Sequence, residues 1–96
     1  MESIQIKTPY PEQARPLIKE AIEIEKKLAR ESLAVTNERI TSLAQQLNVT
    51  VEQIHTGKVS RTEENEMALL ELEGELEIRR SLEEALRSLD SLEVCG

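Results

Sequence analysis

Aromatic side chains are almost missing from this chain: 96 residues hold one Tyr, no Phe and no Trp. Glycine and proline are rare at three each, and Asp90 is the only aspartate among 19 acids. Few breakers and few aromatics point away from strand-dominated folds and toward long helices. The single cysteine, Cys95, excludes an internal disulfide framework and a cysteine-built zinc site. Bases are short as well: 12 Lys and Arg leave a net charge of −7, which argues against phosphate-backbone binding as the main activity. No apolar run is long enough to span a bilayer, and the first residues lack a basic-then-apolar pattern, so a cytoplasmic protein is expected. The length suits one small domain.

What the chain does contain is glutamate and leucine, with 18 Glu and 13 Leu. Glutamate is a good helix former, whereas aspartate competes with its own backbone and favours caps and turns. Residues 1–10 alternate Ile4 and Ile6 with polar neighbours, a period of two that suits a short extended arm ended by Pro9 and Pro11, with a disordered tail as the alternative. A lone strand is not stable, so order in this arm is expected to need a second chain. Pro11 can open a helix, while Pro16 should clash with the carbonyl of Glu12 and bend or separate the first turn.

From residue 17 a helical pattern runs to Leu47. Ile18, Ile22, Glu25, Ala29, Leu33, Thr36, Ile40, Leu43 and Leu47 step by three or four, and Leu17, Ala21, Ile24, Leu28 and Val35 form a second line beside them. Asn48 suits a left-handed helix end, and Thr50 with Gln53 fits a capping box for a short helical turn over 51–56. Gly57 stops that turn. Thr62 starts a second long helix over about 62–93, with Ile78, Leu82, Ala85, Leu89 and Leu92 near heptad spacing. The expected fold is all-α: residues 11–96 form one long antiparallel helical hairpin, coiled-coil-like, with its first helix over about 12–47.

The stripes are wider than a two-helix contact covers, which marks a chain built to associate. A homodimer making a four-helix bundle is expected, its core drawn from Ile18, Ile22, Leu33, Ile40, Leu43, Leu47, Leu72, Leu76, Leu82, Leu86 and Leu89.

Charge is lopsided. Residues 63–96 carry 11 acids and three bases, a charge of −8, whereas residues 1–62 carry eight acids and nine bases, a charge of +1. Glu71 and Glu75, and Glu73 and Glu77, stand four apart and repel by a few tenths of a kcal/mol per pair. A helix that accepts such repulsion suits a basic partner, which makes Glu71, Glu73, Glu75 and Glu77 the candidate binding residues.

Other chemistry finds less support. TSLAQQLNVTVEQI, residues 41–54, has the spacing of a helix-turn-helix corner, and residues 38–57 are the candidate for a DNA-binding autoregulator. Its second helix would be short, and Glu52, Gln53 and His55 bring no Lys or Arg. Glu52 and His55 in EQIH match half of a di-iron motif, but no second histidine exists. No nucleophile–base grouping or glycine-rich phosphate loop is legible. The expectation is no enzyme, no metal and no cofactor; a purely structural coiled coil is the other alternative.

From Pro11 to Val94, the layout of a long charged helix, an L-x-V-T-x-E-x-I corner (Leu47 to Ile54), a loop and a Glu-rich second helix resembles a group of small prokaryotic helical-hairpin proteins. Some of these have no assigned role, and others are regarded as antitoxins encoded beside small toxin-like proteins. The resemblance implies a binding role toward a basic toxin-like protein and no catalytic residues. Such proteins often carry aromatics near the start of the second helix, where this chain has Met67 and Leu69.

Overall fold

The computed structural model describes residues 2–5 and 7–95. Met1, Ile6 and Gly96 lie outside the described residues, so the expectation for Ile6 in the arm is left there. In chain order the elements are β1 (Glu2–Gln5), α1 (Pro11–Leu47), α2 (Val51–His55), α3 (Glu66–Asp90) and β2 (Leu92–Cys95). The fold is a helical hairpin in which α1 and α3 pack on each other. The chain divides into two compact units, one of residues 33–81 and the other of residues 1–32 with 82–96. No helix among the described residues is long and apolar enough to cross a membrane.

In the unit of residues 33–81 the packing is antiparallel. Arg79 reaches Asn37 at 3.4 Å, and Arg39 reaches Glu75 at 3.6 Å, so numbers rise along α1 as they fall along α3. Ile40, Leu72 and Leu76 form the core, and Leu43, Ala44, Leu47, Val49, Val51 and Ile54 pack against it. Leu69 and Thr36 are also buried.

The corner after α1 is fixed by backbone geometry. Asn48 takes a φ of 55°, its N–H donates to the carbonyl of Gln45 at 3.1 Å, and that of Val49 donates to Ala44 at 3.0 Å. This pairing satisfies the last carbonyls of α1 and turns the chain, and an amide side chain tolerates the left-handed φ. Thr50 and Gln53 then form the reciprocal capping box, at 3.1 and 2.9 Å. Gly57, with φ 69°, ends α2 the same way: its N–H donates to Ile54 and that of Lys58 to Gln53.

The second long helix begins later than its pattern implied. Residues 63–65 are a turn capped by Thr62, whose hydroxyl accepts from the Asn65 N–H at 3.2 Å while Asn65 Oδ1 accepts from the Thr62 N–H at 2.7 Å. Asn65 also donates to the Ser60 carbonyl, which draws the connector onto this turn.

The other unit departs further from expectation. β1 pairs in parallel with β2 of the same chain, with Glu2 opposite Leu92 and Gln5 opposite Cys95. The arm therefore needs no second chain to find a pairing partner, and residues 92–95 are strand where a helix to 93 was expected. Pro16 lies inside a continuous α1, with no separate first turn. Its ring withdraws a single donor, opposite Glu12, which is exposed to water. Ile18, Ile22, Leu82, Leu86 and Leu89 are half-buried in this unit. At the inner position between Ile22 and Ala29 stands Lys26, not Glu25: its side chain is 15% exposed and its ammonium meets Asp90 at 3.4 Å. A lysine stem can lie along apolar surface while its cationic head reaches a carboxylate, which an anionic glutamate cannot do.

Candidate interaction surfaces

All eleven residues expected in a dimer core lie on the inward-facing lines of the chain itself. Ile40, Leu72 and Leu76 are buried; Ile18, Ile22, Leu33, Leu43, Leu47, Leu82, Leu86 and Leu89 are half-buried. The large apolar side chains left in water belong to other faces. On α1 these are Leu17 (66% exposed), Ile24, Leu28 and Val35, and on α3 Met67 (77%), Leu70 and Ile78.

The four candidate glutamates do not form one free acidic face. Arg61, on the connector, grips Glu73 through Nη2 at 3.0 Å and Nη1 at 3.2 Å, and grips Glu66 through Nε at 3.0 Å and Nη2 at 3.2 Å. These bonds, first to Glu73 and then to Glu66, raise the Arg61 pKa further above its already high ordinary value. Glu77 is bonded by Arg80, one turn along α3, and that hydrogen bond with its charge attraction holds the carboxyl below its usual range. Glu75 turns inward: its side chain is 12% exposed, Oε1 faces Arg39 at 3.6 Å, and Oε2 is buried without a hydrogen-bond partner. Glu71 alone of the four is exposed and forms no ion pair with another described residue.

What gathers on the outer face of α3 is different. Leu70 and Glu71 follow Met67 by three and four residues, Gly74 follows those two by four and three, and Ile78 follows Gly74 by four; all are exposed. Glu63 and Glu64 precede Met67 by about one turn, are exposed, and form no ion pair with described residues. The face is an apolar strip with acids at its edge. The acids are plain in the sequence, but which of them an arginine neutralises is not. Ile78, which the heptad spacing set on the seam with Leu82 and Ala85, is 47% exposed, and Ala85 is exposed as well; Met67 and Leu70 fall off the inner line of Leu69, Leu72 and Leu76.

The helix-turn-helix-like corner has a shallow groove of about 480 Å³ over Asn37, Thr41, Gln45, Asn48 and Arg79. Its α2 has five residues, Gln53 is committed to the cap, and Arg79 is bonded to Asn37. His55 is exposed, and no group of three or more metal-ligating side chains comes together among the described residues.

Comparison with family models, curated proteins and solved structures returns no match.

Proposed function

We propose that this chain is a non-enzymatic protein–protein interaction module, antitoxin-like in role and acting in the cytoplasm, which holds a basic partner protein on the outer face of α3. The observation that carries the reading is Met67, 77% exposed, beside half-exposed Leu70, with Glu63, Glu64 and Glu71 free around them. Exposed apolar anchors ringed by polar groups have the anatomy of a binding patch: the apolar centre supplies affinity, and the charged rim supplies steering and selects the sign of the partner. The binding acids are then Glu63, Glu64 and Glu71, and not the set Glu71, Glu73, Glu75 and Glu77. Glu73 and Glu77 already have arginine partners, and Glu75 faces inward.

DNA contact by residues 38–57 receives less support, because a five-residue α2 with Glu52 and a committed Gln53 offers no basic reading surface. The test is affinity capture with the full chain from its native cell. A basic protein should be retained and then released by high salt, and E63K/E64K/E71K should lose it. Equal capture by wild type and the triple variant would overturn the role given to the rim.

A further inference from the structure

The unit of residues 1–32 and 82–96 carries an exposed apolar line on α1. Leu17, Ala21, Ile24 and Leu28 are all exposed, and Leu17 is 66% so. Their steps of four, three and four make one seven-residue repeat, the spacing of a helix–helix seam. The line stands away from Ile18, Ile22, Lys26 and Ala29, whose side chains are half-buried. This part of α1 thus has two apolar lines, one half-buried and one exposed.

The geometry points to a second copy of this chain as the occupant, with the two α1 helices antiparallel about a two-fold axis close to Ile22. In that register Leu17 meets Leu28 of the second copy, and Ala21 meets Ile24 of the second copy, each contact occurring twice. The small residue faces the large one in the two central layers, which fills space evenly. Flanking the line, Glu20 falls beside Lys27 of the second copy, and Lys27 beside its Glu20. Both residues are exposed and neither forms an ion pair with a described residue of its own chain. A parallel, in-register pairing does the reverse. It stacks Ala21 on Ala21, leaving a gap, and sets Glu20 beside Glu25 of the other copy, two like charges. Packing and charge therefore select the same orientation, and the contact is closed and self-complementary, as a two-fold dimer requires.

Sedimentation equilibrium of the full chain, with charge variants on this line, tests the proposal. Wild type is expected to be a dimer at about 100 µM. E20K alone and K27E alone set like charges opposite each other and should each weaken the dimer, by roughly tenfold at low salt. The doubly exchanged E20K/K27E should regain wild-type strength. I24E should be monomeric with unchanged helix content by circular dichroism; if I24E fails to fold, the charge exchange still decides. A monomeric wild type, a stronger dimer for E20K, or no recovery in the double variant would each overturn the proposal.

Discussion

Arg61 and Glu73, twelve residues apart, are joined by two hydrogen bonds of 3.0 and 3.2 Å, one to each carboxylate oxygen, and the same guanidinium also holds Glu66. A connector of polar residues is thereby tied to the first turns of α3. The planar fork of arginine matches a carboxylate edge, which a lysine cannot reproduce. Because the site is open to water, Arg61→Lys should lower the melting temperature slightly at low salt, and the difference from wild type should vanish in high salt. Thermal melts at the two ionic strengths check this.

The hydrophobic core makes a sharper demand. Leu72 is fully buried against Ile40 and Leu76. Leu72→Ala should cost about 2–5 kcal/mol, the transfer term plus the cavity left behind. Leu70→Ala, half-exposed on the same helix, should change stability by less than about 1 kcal/mol. Urea denaturation of both variants separates the inner from the outer face of α3.

Glu75 should be dispensable for folding. One of its oxygens is buried with no hydrogen-bond partner, and its ion-pair partner Arg39 is 63% exposed and can return to water. Replacing a poorly satisfied buried carboxylate with an apolar side chain of similar length is neutral or stabilising. Glu75→Met should hold or raise the melting temperature; a marked fall would contradict this account of the site.

Gly74→Ala should stabilise α3 by about 0.5–1 kcal/mol, since a helix-interior glycine costs that much in backbone entropy. A Cβ there meets nothing within 4 Å. Denaturation midpoints should rise, and loss of partner capture by the same variant would show that the partner's backbone comes close at this point.

Acid should act on the Glu77–Arg80 pair in one direction. The folded carboxyl titrates below its unfolded value, so the pair's small contribution is complete at neutral pH and lost as pH falls below about 4. Glu77→Gln should abolish this component of the acid transition, read by comparing helix content against pH for the two proteins.

Local signals were legible in the sequence wherever the chemistry is local. Asn48, the Thr50–Gln53 box and the stop at Gly57 act over three to five residues, and the structure has each of them where the residue types imply. Long periodic lines likewise gave the two helices. Pairings at a distance were not legible. Nothing in the spacing links Arg39 to Glu75 or Arg61 to Glu73, so the acidic helix read as uniformly free when three of its four candidate acids have arginine partners. Leu92 and Glu93 closed a leucine-containing periodic pattern and so read as the end of a helix, yet pairing of Leu92–Cys95 with β1 makes them strand, a tertiary preference that four residues cannot announce. The inner place of Lys26 was missed because its charge hides the apolar stem that packs.

The proposal that α3 presents a partner-binding face is tested most directly by the affinity of M67E/L70E for the basic protein captured by wild type, titrated side by side at one low salt concentration. Both residues are exposed, so the variant should keep its helix content and melting temperature. Loss of binding by about a hundredfold or more is the predicted result, as for two central anchors of an interface. Affinity equal to wild type would contradict it.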